Sequence, residues 1–433
     1  MLNIIIILFY ILIMFFVRVI YKNNLYKNVI IAYTTWTFFI IIISNMNPFG
    51  LDDVDNKVYI IWIVNILLTV ISSMFFIKKN VDSELDIFNT VSNFSSSKLF
   101  TILNVVVFIG LVYFFIRYNS LAEGASAYDL RVIRFTTLFN SSYEQFIFDY
   151  IIGGILKINM LVLSLMIINK DYKRLSCIFG IINIILYTMI GYGRLCIFEF
   201  CLYLLFAFLI SNKKINFKTI FRILIYTFFI FLVLSFITAI RIIGIEKINY
   251  NSFIEYGVEL LSKQLIIYFI GGFRTLNSFI NSVDINNYKL GRMTFAGFED
   301  LFSLFTGFLG IGFFPINNSL GAYTQKTVLI GYKSTFNAFY TAIFNFYGDF
   351  GIIGVVVFSL VNGLFLSASI NNLYKKRTIS SFMLFIYSQS MLLCTIYRWN
   401  YQFGNYLVVL LALFLLEFTL NKKIKRRKNY VSH

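Results

Sequence analysis

The sequence predicts an all-α, polytopic membrane protein of about eleven transmembrane helices, and three observations carry that prediction. Hydrophobic residues make up 59% of the 433 and charged residues only 13%, with a mean hydropathy of +0.79. Soluble domains are roughly half apolar and a quarter charged, so lipid must be the solvent for most of this chain. The apolar residues are gathered into stretches that fit a hydrocarbon core of about 30 Å, which takes about 20 residues per helix. Finally, the basic residues alternate between sparse and dense loops in the way that orients membrane helices.

The stretches follow one another at 2–17, 28–44, 58–77, 99–116, 150–169, 175–190, 195–210, 219–239, 350–370, 380–397 and 403–420. Backbone groups in lipid must bond within their own segment, which makes each a helix. The first has no basic residue before it, lacks a small-residue cleavage site and is followed by Arg18 and Lys22, so it reads as an uncleaved span with its N-terminus outside. From that start, alternate loops hold 22 of the 37 Lys and Arg, ending in the tail "NKKIKRRK", and the C-terminus falls in the cytoplasm. These inner segments carry five acidic residues, whereas the outer ones balance 14 basic against 14 acidic. The whole net charge of +17 is therefore cytoplasmic. Short basic loops beside an anionic leaflet serve orientation and headgroup attraction, so the charge points to the bilayer as partner and not to nucleic acid. The cysteines, Cys177, Cys196, Cys201 and Cys394, fall within apolar stretches without metal-ligand spacing and read as core residues.

One connection is long. Residues 240–349 form a large outer loop within what is otherwise a single integral membrane domain over 1–433, and a loop of that length is expected to be functional. It is not a polar linker: "LIIYFIGGF" (265–273) and "LFSLFTGFLGIGFFPI" (301–316) are apolar but short or broken by glycine, as expected of interfacial helices. Were both to cross, there would be thirteen spans with 282–300 inside, and that segment holds two basic and three acidic residues, a poor cytoplasmic signal.

The outer charges have a chemical bias. Eight of the 14 outer basic residues are arginine (117, 131, 134, 194, 241, 274, 292, 398) against six of the 22 inner ones. Arginine offers a planar fork that matches phosphate oxygens, whereas lysine is a more strongly hydrated point charge. The bias suggests a lipid-borne anion held from outside, the alternative for any single arginine being a side chain that snorkels to the interface.

The layout of about eleven spans with one long outer loop late in the chain, together with "YFIGGFRTLNSFIN" (268–281), "KLGRMTF" (289–295), "TFNAFYTAIFNFYGDFGIIG" (335–354) and the "GYGR" turn (191–194), resembles the Wzy-type oligosaccharide repeat-unit polymerases of bacterial O-antigen and capsule pathways. The resemblance implies a multi-pass protein of the bacterial cytoplasmic (inner) membrane. Such a protein joins polyprenyl-diphosphate-linked repeat units on the outer face, with a chain-length regulator as a possible protein partner. It implies a glycosyltransferase that needs no metal and no cofactor.

Glycosyl transfer from a diphosphate carrier needs positive charge where the leaving diphosphate develops charge, and a group that takes a proton from the attacking hydroxyl. Arg194 and Arg241 are the candidates for the first role, with Arg274 and Arg292 as further substrate-binding cations. The only histidine, His433, lies at the end of the tail, so the proton acceptor must be a carboxylate or absent. Asp349, at the entrance of the ninth stretch, is the first candidate; Glu299 and Asp300 are the alternatives, and Asn337 and Tyr340 are hydrogen-bond partners for sugars. Asp349 could equally cap the N-terminus of its own helix. The acidic loop "LDDVDNK" (51–57) reads as solvated, and Lys157 and Glu199 as an intramembrane pair at matched depth. An O-antigen ligase or another lipid-linked-sugar transferase would need the same groups. A flippase for such lipids would share the arginines, but repeats and midplane charges are expected of a transporter, whereas this sequence shows no convincing repeat and its apolar stretches are nearly charge-free.

Overall fold

The computed structural model describes residues 2–20, 24–77, 98–123, 133–134, 137–170, 174–190, 193–211, 225, 231–240, 249–283, 287–325, 328–332, 334–336 and 340–431. In chain order the helices are α1 (Leu2–Ile20), α2 (Asn24–Met46), α3 (Asn56–Phe76), α4 (Lys98–Ala122), α5 (Ser142–Asn169), α6 (Arg174–Met189), α7 (Leu195–Ile210), α8 (Phe231–Ile240), α9 (Leu260–Ser282), α10 (Ala296–Phe308) and α11 (Ile316–Gln325). A short antiparallel hairpin, β1 (Val328–Gly331) and β2 (Ser334–Phe336), precedes α12 (Ala342–Lys376), α13 (Ile379–Cys394) and α14 (Gly404–Val431).

Five of these, α2, α3, α4, α5 and α12, are long and apolar enough to cross a membrane, and shorter apolar helices accompany them. That is the make-up of an all-α membrane protein. Each of the eleven apolar stretches overlaps one apolar helix, the eighth being described over Phe231–Ile240. The chain forms two compact units, Met1–Asp86 with Tyr268–His433, and Ile87–Ile267.

In the first unit, α13 is the innermost helix, with every residue buried. A helix apolar all round belongs in such a position, and α13 is apolar except for small hydroxyls and Gln389. Against α12 lies α3, and their seam is built as membrane seams are, from small residues and side-chain hydroxyls. Thr69 Oγ1 donates to the Ser359 carbonyl (3.2 Å), Ser72 Oγ to the Leu360 carbonyl (3.0 Å) and Ser359 Oγ to Asn65 Oδ1 (2.7 Å). Gly363 lies so close to Ser72 and Thr69 that a Cβ would collide with both. Glu417 is buried beside Lys376 Nζ (3.2 Å) and accepts the hydroxyls of Thr378 and Ser380, which neutralises a carboxylate that would otherwise be costly there.

The apolar run 265–273 belongs to the 23-residue α9, and the run 301–316 is broken as its glycines suggest. Here α10 ends at Phe308, Gly310 takes φ +71°, and α11 starts at Ile316, just after Pro315.

In the second unit, α5 contains a π-helical stretch, Ile147–Ile152, and then packs against α4, α6 and α7. Lys157 Nζ and Glu199 Oε2 lie 3.6 Å apart, both buried, so these two intramembrane charges do face each other.

Candidate functional site

The ninth apolar stretch starts earlier than its letters suggest. Helix α12 begins at Ala342, and its first turns carry Asn345, Tyr347, Gly348 and Asp349 before a kink in which Phe350 (φ −145°, ψ 20°) and Gly351 (φ 61°, ψ −142°) leave helical geometry. The Gly351 conformation suits a residue without Cβ, and the Tyr288 hydroxyl occupies the place that a Cβ would take. The segment 288–295 is wrapped around this kink.

Asp349 fastens that segment and does not cap its own helix. It is fully buried, and its two oxygens accept the backbone N–H groups of Met293 (3.0 Å, Oδ1) and Thr294 (2.7 Å, Oδ2). Other bonds complete the clasp: Lys289 N–H to the Gly348 carbonyl (3.0 Å), Asn345 Nδ2 to the Met293 carbonyl (2.8 Å) and Trp399 Nε1 to the Thr294 carbonyl (2.8 Å). Buried backbone donors need partners, and Asp349 supplies them where no helix or sheet does.

Beyond the clasp, Lys289 and Arg292 stand at the ends of a tight turn closed by Arg292 N–H to the Lys289 carbonyl (3.1 Å), with Leu290 and Gly291 both at positive φ. The Arg292 side chain is 53% exposed and grips Glu299 by two bonds, Nε to Oε1 (2.7 Å) and Nη2 to Oε2 (2.9 Å). Nη1 has no partner among the described residues. Glu299 also accepts the Ile316 N–H (2.8 Å), and the Arg292 bond holds its carboxyl below the usual range.

Asp300 differs from both other carboxylates. Its Oδ2 accepts Asn317 Nδ2 (2.7 Å) and the Gly404 N–H (3.0 Å), while Oδ1 has no partner among the described residues. Burial pushes its pKa up to about 6, against the lowering effect of those two donors. An oriented carboxylate with one open oxygen and a pKa near neutrality has the properties of a general base.

The remaining sequence candidates are distributed as follows. Arg274 is buried and tied to α2 and the 51–57 loop, donating to the Ser44 hydroxyl (2.7 Å), the Ser44 carbonyl (2.9 Å), the Asp52 carbonyl (3.1 Å) and the Ile270 carbonyl (3.0 Å). Tyr340 is buried in an aromatic cluster with Tyr323 and Phe344, and burial pushes its phenol up to about 12. In the second unit, Arg194 immediately precedes α7 and donates to Thr238 Oγ1 (3.2 Å) and Gln264 Oε1 (3.1 Å), both neutral acceptors. Arg241 and Asn337 lie outside the described residues. In the acidic loop, Asp55 accepts Asn281 Nδ2 (2.8 Å), and Asp52 and Asp53 are exposed.

The first unit thus brings Arg292, Glu299, Asp300 and Asp349 together through the 288–300 segment. Sequence reasoning missed the residues that hold this segment, Asn345, Asn317, Gln402 and Trp399. Asn317 Nδ2 also donates to the Gln402 carbonyl (2.6 Å), and Gln402 Oε1 accepts from Asn345 (2.8 Å). Their one sequence signal is an unusual density of amide side chains beside apolar helices. Compared with protein-family models, with curated proteins and with solved structures, the chain matches none.

Proposed function

We propose that the protein polymerises polyprenyl-diphosphate-linked oligosaccharide repeat units on the outer face of a bacterial cytoplasmic membrane. In this reading eleven helices cross, the N-terminus is outside, and residues 240–349 carry the reaction. The observation that supports it best is Asp300, a carboxylate with one oxygen held by Asn317 and Gly404 and the other open, one residue from the Arg292–Glu299 pair. The two groups that the reaction needs, a proton acceptor and an arginine fork, are then neighbours on one short helix and the turn before it.

The acceptor sugar's hydroxyl oxygen attacks the anomeric carbon of the donor glycan, and the bond from that carbon to the carrier's diphosphate oxygen breaks. The hydroxyl proton passes to Asp300 Oδ1, and the departing diphosphate keeps the electron pair and a growing negative charge. Arg292 meets that charge with its open Nη1, where a charge-assisted hydrogen bond is strongest. Glu299 aims the guanidinium. Asp349 holds the Met293–Thr294 backbone and so fixes both groups, which makes it a positioning residue in this mechanism.

Asp300→Asn keeps the two oriented bonds at one oxygen and removes the proton acceptor. In a host lacking the native protein, the variant should accumulate normally, while the glycan ladder collapses to single repeat units, a loss on the order of 10²- to 10⁴-fold in chain extension. A full ladder from this variant would remove Asp300 from the mechanism.

A further inference from the structure

Helix α10 is built inside out for a helix in water. Its face toward the rest of the first unit carries Gly297 and Asp300, with Gly297 packed so close to the Tyr401 carbonyl that a Cβ would not fit. Its other face presents Phe298, Phe302 and Phe305 at i, i+4 and i+7, all exposed, and Phe305 is 62% accessible. The row extends through Phe295 on one side and Leu309, Ile311 and Phe314 on the other, the last 83% accessible. Contiguous exposed apolar surface of this kind marks a binding face.

What covers it follows from where it leads. Phe295 packs on Phe358 (ring centroids 5.7 Å apart, edge to face), and Phe350 lies against the same ring at 6.4 Å. Phe350, Ile352, Ile353 and Val357 form an exposed apolar strip of α12, a helix long and apolar enough to cross the membrane. The row on α10 is therefore continuous with the lipid-facing side of α12. At its polar edge stand exposed Lys289 and Arg292, with Glu299 half-buried behind them, and mixed charges of that kind suit the headgroup level.

We propose that residues 295–314 form a lipid-docked ledge: α10 lies in the plane of the membrane with its phenylalanine face sunk to the boundary of headgroups and acyl chains, as amphipathic interfacial helices do. The partner is the bilayer leaflet itself, and the inference holds whatever reaction the protein catalyses. A docked ledge would keep the Asp300 face at a fixed height above the acyl chains, within reach of a lipid-borne headgroup.

The test uses the full-length chain with its native cysteines, carrying p-benzoyl-phenylalanine in place of Phe302 or, separately, Phe305, in vesicles of phosphatidylethanolamine and phosphatidylglycerol. After illumination each variant should gain the mass of one phospholipid, whereas the same photoprobe at buried Phe382 in α13 should not. A crosslinked band of twice the protein mass would assign the face to a second copy and overturn the proposal. Photoreduced probe without a lipid adduct at both positions would place the face in water and overturn it equally. The outcome is independent of glycan synthesis, so its failure and that of the proposed reaction are distinguishable.

Discussion

At the scale of residues, three carboxylates that look alike in sequence have three different chemistries, set by which of their oxygens are occupied. Asp349 has both filled by backbone N–H groups in a fully buried place. Removing it strands two donors, each costing about 1–3 kcal/mol when left unsatisfied. Asp349→Ala should therefore loosen the 288–300 segment, seen as faster hydrogen exchange at Met293 and Thr294 and new proteolysis at Lys289 or Arg292; unchanged protection at both amides would count against the clasp. In the proposed reaction Asp300 is the group whose titration would set activity. A base works only when deprotonated, so chain extension should fall as pH drops through about 6, and Asp300→Asn should abolish that limb of the profile. Stability follows the opposite sign. A carboxyl whose folded pKa is raised favours the fold most when protonated, and this contribution is lost as pH rises from near 4 through about 6. Asp300→Asn should thus leave the thermal midpoint at pH 8 unchanged or raised, which separates lost chemistry from lost folding.

At the scale of elements, the apolar stretches were legible because lipid demands length and apolarity together, and each overlaps an apolar helix. The start of α12 was not. The counting of apolar residues skips Asn345, Tyr347 and Asp349, and the wrapped 288–295 segment that takes the Asn345 amide N–H and both Asp349 oxygens lies more than fifty residues away. Nor was the extent of α9 legible, since the apolar run stops at Phe273 and Arg274 can be buried beyond it only through its partners Ser44 and Asp52. The β1–β2 hairpin is too short to announce itself. For the candidate site, the sequence offered Asp349, Glu299 and Asp300 as proton acceptors for the proposed reaction. Which oxygen stays open depends on Gly404 and Asn317, and no local pattern reveals that. The α3–α12 seam gives its own prediction. Gly363→Ala inserts a methyl group against Ser72 and Thr69 and must push the helices apart. Overpacking of this kind costs about 1–3 kcal/mol, to be read as a lowered thermal midpoint in detergent; an unchanged midpoint would show a looser seam.

At the scale of the whole molecule, the five long apolar helices and their shorter companions make this a membrane protein, while orientation rests on the loop charges. Membrane-impermeant thiol reagents should label cysteines introduced at 287 and 320 in intact cells and miss those at 172, 214 and 376. Protection at 287 with labelling at 320 would favour thirteen spans. The central claim is that the chain joins lipid-diphosphate-linked glycans, and the most direct measurement is reconstitution. Purified protein in vesicles, supplied with one synthetic polyprenyl-diphosphate oligosaccharide and no metal, should yield a ladder of lipid-linked oligomers with one polyprenyl diphosphate released per bond formed. Recovery of the unjoined substrate, whether left in place or carried to the opposite leaflet, would contradict it.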